Sequence, residues 1–391
     1  VKFRLLPSLL ILAVGLVNTA CSKKDSAENA NEIVVKIGSV SPLTGPQSHL
    51  GKDNENGARM ALDEANTQHI LLGGKPVKFV LISEDDGADP KTATSVAQKL
   101  ADQKINGVIG HLNSGTSIPA SKIYHDAGIA QISPSATAIK YTAQGYNTAF
   151  RVMTNDAQQG RVLGQFAVSK MGAKKIAIID DRSAYGQGLA DEVEKAAKAA
   201  GAEIVAREFT TDKSTDFTAI LTSIKSKNPD LIFFGGMDPQ AAPMVQQMKR
   251  LGLKAKFLGG DGVQTAEFLT LAGADGEGVT ASNPGVPLAG MPGGVAFEQK
   301  FNAKYGKIQN YAPYAYDAVN VMIAAMRHAD SADPAKYLPE LAKASFAGVT
   351  GNIQFDAKGD LTNGNVTLYQ VKNGKWEPVE TVKNAEPAPA K

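Results

Sequence analysis

Residues 108–138 read VIGHLNSGTSIPASKIYHDAGIAQISPSATA. Two short apolar runs, Gly107 to Gly110 and Ile129 to Ser133, have the length and composition of buried strands. Each runs into a cluster of small hydroxyl residues. These are Ser114, Thr116 and Ser117 after the first run, and Ser133, Ser135 and Thr137 after the second. A strand that feeds a Ser/Thr-rich helix start leaves backbone N–H groups and hydroxyl donors facing outward, which suits a carboxylate or a phosphate. Neighbouring strands of one parallel sheet would set both clusters side by side at the sheet's carboxyl edge, where open α/β folds bind ligands. No nucleophile, acid–base pair or metal cage stands nearby. The stretch therefore points to a protein that holds a small anion-bearing molecule without transforming it.

The rest of the chain alternates in the same way. VVKIGSV at 34–40, VKFVLIS at 77–83 and KKIAIID at 174–180 read as strands. GARMALDEANT at 57–67, PKTATSVAQKLAD at 90–102 and LADEVEKAAKAAG at 189–201 read as helices, with Asp89 as N-cap of the second. AEIVAREF precedes the helical TDFTAILTSIKSK, and DLIFFGG precedes a helix from Pro239 to Leu251. This βαβα order predicts an α/β protein with parallel sheets covered by helices on both faces. It occurs twice, before and after residue 155, and the chain is too long for one core. Residues 292–346 read as mostly helical, including YAPYAYDAVNVMIAAMRHA. After them come strands with turns at Lys358-Gly359 and Asn373-Gly374. The end, 383–391, has the composition of a disordered tail.

The N-terminus reads as a targeting segment, residues 1–20. Lys2 and Arg4 precede an apolar run from 5 to 17, shorter than the ~20 residues a membrane span needs. Cys21 follows Ala20, as at a lipoprotein cleavage site, although Asn18 stands where an apolar residue is usual. Cleavage after Ala20 without lipidation is the other reading; that Cys21 is the only cysteine favours lipidation. Residues 21–32 would then be a tether. The remaining chain has no Cys, which excludes disulfides and thiolate metal sites. The formal charge of +2, with both signs interspersed, gives no nucleic-acid signal. The five His residues, 49, 69, 111, 125 and 328, form no metal-ligand spacing. His111 reads as a packed residue behind the first loop.

Taken in order, VKIGSVSPLTGP (35–46), EDDGADPKTATSVAQKL (84–100), the 108–138 stretch, AYGQGLA (184–190), FGGMDP (234–239), LGGDGV (258–263), YAPYAYDAV (311–319) and FDAKGDL (355–361) resemble the leucine/isoleucine/valine-binding proteins of bacterial ABC importers. These are a branch of the type I periplasmic binding proteins. The resemblance implies two Rossmann-like lobes joined by three crossovers, with the ligand cleft between them. Lobe one would be 33–155 plus 285–366, and lobe two 156–284 plus 367–382. Better-known members have a disulfide whose positions match Ala88 and Asn113, so both halves are absent together.

The resemblance also implies a site. Ser114 and Thr137 match the pair that holds an amino acid's α-carboxylate. Ser135 would offer its backbone carbonyl to the ammonium, with its side chain of little consequence, and Ala136 lies between them in the same loop. Asp261 in GGDGV matches the ammonium-binding carboxylate, where better-known members carry the longer Glu, so direct contact and a bridging water both stay open. A buried ammonium needs such an anion. Tyr185 would cover the ligand. Leu50, Leu112, Met237 and Tyr311 match side-chain pocket positions, an adaptable apolar lining suited to an aliphatic side chain. Such a lining does not separate leucine from isoleucine or valine.

The leading expectation is an exported, monomeric receptor for a branched-chain L-amino acid, serving a permease and an ATPase subunit of an importer, without cofactor or metal. A receptor for another carboxylate or an amide, and an amino-acid sensor that transports nothing, are the alternatives. Enzyme chemistry has little support. No nucleophile–base–orienter set or G-x-x-x-x-G-K-[ST] occurs. Gly186-Gln187-Gly188 has Asp191 where a dinucleotide loop needs its third Gly.

Overall fold

The computed structural model describes Lys2 and residues 32–383. The rest of the targeting segment, Cys21, nearly all of the tether and the tail beyond Lys383 lie outside the described residues. Two sheets form two lobes. The first runs in the order Leu71–Leu72, Lys75–Asp85, Ile33–Ser41, Gly107–Gly110, Gln131–Ser133, Ala149–Arg151. It is parallel except for the antiparallel pair at its edge. The second runs Lys375–Lys383, Asn365–Lys372, Thr280–Pro284, Lys256–Gly259, Leu231–Gly235, Lys175–Asp180, Glu203–Phe209. Its last two C-terminal strands pair antiparallel and the rest are parallel.

The chain leaves the first sheet after Arg151 and enters the second lobe at helix Asp156–Ser169. It leaves the second sheet after Pro284 and returns to it at Asn365, which makes three crossings. The boundary expected at 366/367 falls inside a strand: Asn365 and Val366 already pair with Lys383 and Val382. Between the last two crossings, helices Gly294–Tyr305, Ala312–His328 and Pro334–Ala342 complete the first lobe. The hairpin at Asn373-Gly374 has φ of 51° and 71°, the left-handed pair that a tight two-residue turn requires.

The helices differ most from expectation at their starts. The first runs Ser48–Thr67, nine residues earlier than the apolar period shows. Its first turns bury polar groups, Asp53 and Asn54, which carry no apolar signal. Asp53 accepts from the backbone N–H groups of Gln309, Asn310, Tyr311 and Ala312 at 2.7–3.0 Å. It thereby satisfies the orphan donors at the start of Ala312–His328. Helix Ala184–Ala199 likewise starts before Leu189, capped by Ser183 through the Gly186 N–H. A Cβ at Gly186 would lie 2.4 Å from the Gly235 carbonyl. This glycine serves close helix–strand packing, not a phosphate loop.

The inner strands of both sheets are buried on their two faces, while the edge strands Lys375–Lys383 and Glu203–Phe209 are partly or fully exposed. One large apolar cluster runs through both lobes, and separate clusters fill the outer faces, around Val40, Leu100 and Tyr124 in the first lobe and Phe234, Phe257 and Phe268 in the second. Each fully buried side chain of this size contributes about 1.5–3 kcal/mol. The carboxyl ends of both sheets face each other, and the candidate site lies where they meet.

Candidate ligand-binding site

In the first lobe, strand Gly107–Gly110 leads through His111, Leu112 and Asn113 into helix Ser114–Asp126. Strand Gln131–Ser133 leads into a loop instead of a full helix; only the single turn Lys140–Ala143 follows. Hydroxyls zip the two loops together. Ser117 and Ser133 both donate to the His111 carbonyl, at 3.0 and 2.8 Å. Ser135 donates to the Leu112 carbonyl at 3.0 Å and lies 3.3 Å from Asn54 Nδ2. The Ser135 side chain therefore takes part in the loop's bonding, contrary to the expectation that it matters little. His111 is fully buried between Asp86 and Tyr124, behind the loop.

Two expected carboxylate ligands stand free of this zipper. Ser114 Oγ accepts from the Ala138 N–H at 3.1 Å, which leaves its own O–H to donate. Thr137 Oγ1 is fully buried and makes no close hydrogen bond among the described residues; its hydroxyl faces the Asp156 carboxyl of the other lobe and favours that group's ionised form. The N-terminal N–H groups of helix Ser114–Asp126 add a positive partial charge beside them. Ala136 is different. Its N–H donates to Ser133 Oγ, its carbonyl accepts from Arg151, and its side chain packs with Tyr141 and Ala149 inside its own lobe.

The second lobe presents carboxylates. Asp261 is fully buried in the loop after strand Lys256–Gly259. Gln159 Nε2 and Tyr185 Oη donate to its Oδ1, both at 2.9 Å, and Tyr311 Oη donates to its Oδ2 at 2.8 Å. Burial pushes the Asp261 carboxyl above its usual range, against these hydrogen bonds, which favour the ionised form. Both phenols are raised well above theirs, by burial first and the Asp261 charge second, so they remain donors. The glycines of GGDGV permit the approach: a Cβ at Gly260 would lie 2.4 Å from Tyr185 Oη, and one at Gly262 2.5 Å from Met237 Sδ. Asp156, at the first position of its helix, is pushed up to about 7 by burial and then by Asp261. Its N–H donates to the Thr137 carbonyl at 2.9 Å, and Gln159 leans toward both carboxylates, which links the two lobes' groups.

Leu50, Leu112, Tyr185, Met237 and Tyr311 are all buried in the apolar cluster that spans the lobes. The lobes are closed on one another. Besides Tyr311–Asp261, Asn310 Nδ2 donates to the Asp261 carbonyl at 3.1 Å, and Asn283 Nδ2 donates to Asn310 Oδ1 at 2.6 Å. His49 Nε2 meets Asp238 Oδ2 at 2.8 Å, joining the first turns of helices from opposite lobes. A cavity of about 340 Å³, lined by Ile118 and Ala138 from one lobe and Asp156, Gln187 and Gly188 from the other, opens beside the Thr137–Asp156 contact. Sequence reasoning missed Gln159, Asp156, Asn310 and the His49–Asp238 pair. Of these only Asp238 lies in a quoted motif, FGGMDP, and each acquires its role from a partner on another segment.

Opposed faces of this kind, hydroxyl and N–H donors on one side and buried carboxylates on the other, suit a small zwitterion. Among the described residues no group of three metal-ligating side chains occurs, and no helix is long and apolar enough to cross a membrane. The family model described as periplasmic binding protein matches residues 34–375. The leucine-, isoleucine-, valine-, threonine- and alanine-binding protein of Pseudomonas aeruginosa is 34% identical over 337 residues, 86% of this chain and 89% of that protein. A leucine-binding protein from Thermotoga maritima superposes with a TM-score of 0.83 at 27% identity, covering 90% of this chain and 99% of that one. The branched-chain amino acid transporter substrate-binding protein of Streptococcus pneumoniae, solved with isoleucine, superposes with a TM-score of 0.81 at 29% identity, covering 90% and 100%.

Proposed function

The chain belongs to the periplasmic binding protein family, and from that premise we propose that it is the substrate-binding protein of an ABC importer, receiving a branched-chain L-amino acid between its lobes and delivering it to a membrane permease. Ser114 and Thr137 hold the carboxylate through charge-assisted hydrogen bonds. Asp261 and the Ser135 carbonyl hold the ammonium, with Tyr185 and Tyr311 fixing the Asp261 carboxylate. Leu50, Leu112 and Met237 surround the aliphatic side chain. Ligand touches both lobes only when they are closed, so it favours the closed form that the permease reads. ATP hydrolysis belongs to a separate subunit of the importer. The protein acts as an exported monomer, with Cys21 as its candidate lipid anchor. Its lobes comprise 33–155 with 285–364, and 156–284 with 365–383.

The observation that carries this reading is Asp261, a fully buried carboxylate whose side-chain partners are all neutral. Burying such a charge is costly without a cation, and an amino acid's ammonium supplies one. Isothermal titration of the protein, freed of bound ligand by unfolding and refolding, tests it. Leucine, isoleucine and valine are expected to bind, and glutamate and lysine are not. Binding confined to ligands without an α-amino group would remove Asp261 from the site.

A further inference from the structure

The turn FDAKGD at 355–360 plays no part in the site described so far, yet it is tied to it by an ion pair whose arginine is fully buried. Asp356 Oδ1 accepts from the N–H groups of Lys358 and Asp360, at 2.8 and 2.9 Å, and closes the turn. Gly359 has φ +90°, and a Cβ there would lie 2.1 Å from the Ala149 carbonyl. Only glycine lets the turn lie on strand Ala149–Arg151, where the Arg151 N–H donates to the Gly359 carbonyl at 3.0 Å. This seats Asp360 against the Arg151 guanidinium, which is fully buried. Arg151 Nε donates to Asp360 Oδ1 at 2.6 Å, and Nη2 to Thr142 Oγ1 at 2.6 Å. Nη1 donates to the carbonyls of Ala136 and Ala138, at 2.8 and 3.0 Å.

Those two carbonyls flank Thr137. The Ala136 carbonyl and the Thr137 N–H belong to one planar trans peptide unit, so they point in opposite directions. Holding the carbonyl on Arg151 therefore aims the Thr137 N–H away from Arg151. Asp360 is in turn held by Thr142 Oγ1 at 2.8 Å and by Asn155 Nδ2 at 3.1 Å. Asn155 also caps the first helix of the second lobe. The brace thus touches the chain beside two of its three crossings.

We propose that Arg151 and Asp360 are positioning residues for the carboxylate-binding loop: Arg151 orients the Thr137 peptide unit toward the ligand's carboxylate, and Asp360 holds Arg151 in that pose. The proposal rests on the amino-acid reading given above. The rigid fork of Arg makes both carbonyl bonds at once, and the single ammonium of Lys cannot reproduce it.

Asp360→Asn and Arg151→Lys, each checked for folding by circular dichroism and melting, are titrated with leucine and with leucinamide, which lacks the carboxylate. The expected result is a weakening of leucine binding by about tenfold, the scale of a misaligned charge-assisted hydrogen bond, with leucinamide changed by about twofold or less. Hydrogen exchange of the ligand-free proteins should quicken in residues 134–142. Unchanged leucine affinity in folded variants, or equal weakening of both ligands, overturns the brace. If the unmutated protein binds no leucine, the amino-acid reading is what fails. Loop exchange then decides the brace alone, and unchanged protection at 134–142 overturns it.

Discussion

The two faces of the cleft are built on opposite plans. The first lobe offers neutral donors from two neighbouring strand ends, within a stretch of a few dozen residues, and most of its hydroxyls donate to the backbone carbonyls of His111 and Leu112. The second lobe offers carboxylates, and it assembles them from helix Asp156–Ser169, the Tyr185 helix start and the Asp261 loop. The donor face is self-sufficient: satisfied hydroxyls hold it in shape without ligand. The acid face is under electrostatic load, because burial raises Asp261 and Asp156, the groups bonded to Asp261 are all neutral, and the Arg151 charge offsets only part of the rise at Asp156. Ligand should therefore act mainly as a cation on one face and as a guest in a preformed socket on the other.

The largest effect that separates the faces is at Asp261. Asp261→Ala should weaken leucine binding by about 3–5 kcal/mol, since it leaves a buried ammonium unpaired. Ligand-free thermal stability should fall little, because a loaded carboxylate is removed along with its bonds. A large loss of melting temperature with normal affinity would reverse the roles assigned to the two faces. Thr137→Ala should weaken binding by about 1.5–3 kcal/mol, the worth of one hydrogen bond to a charged group, and Thr137→Ser should restore most of it. Titration calorimetry reads both.

Protonation sharpens the contrast further. The Asp156 carboxyl is raised in the folded protein to about 7, above its unfolded value of ~3.9. The folded state thus binds more protons between those values, and the stability linked to Asp156 is full below the lower one and is lost as pH rises toward 7. Melting of the ligand-free protein between pH 4.5 and 7.5 should show this decline, and Asp156→Asn should flatten it. An amino acid's ammonium opposes it: binding at pH 6 should release protons, measurable as a buffer-dependent heat. The smallest effect concerns closure. Burial alone would lower the pKa of His49, but its bond to Asp238 and the charges of Asp238, Glu267 and Asp53 raise it on balance. His49→Gln should weaken ligand binding by about 1 kcal/mol or less, as for a partly exposed pair, and remove any loss of affinity as pH rises through the His49 range.

Much of the donor face was legible because its chemistry is local. The strand Gly107–Gly110 and helix Ser114–Asp126 follow from an apolar run, small residues and hydroxyl spacing. The second loop was legible as a hydroxyl cluster at a strand end, but that only the single turn Lys140–Ala143 follows it was not, since Ser/Thr clusters favour helix starts and irregular turns alike. Asp261 could be singled out in GGDGV, and its glycines now have a physical reason in the approach of Tyr185 and Met237. Gln159, Asn310 and Arg151 left no trace, because a polar residue's partner is not encoded near it in the chain. The early turns of helix Ser48–Thr67 were hidden for the same reason, since buried Asp53 and Asn54 break the apolar period.

By itself the sequence determined the α/β class, the doubling of the βαβα pattern, the glycine turns and the residue types available for an anion and for an ammonium. All of these depend on short-range periodicity and steric rules that act within a few residues. Only the tertiary structure decided which carboxylate is buried, what satisfies it, and which contacts close one lobe on the other. It also decided that the FDAKGD turn reaches under the Thr137 loop, some two hundred residues away in the chain. Desolvation and hydrogen-bond pairing are properties of the packed volume, and they exist only once the three crossings bring distant segments together.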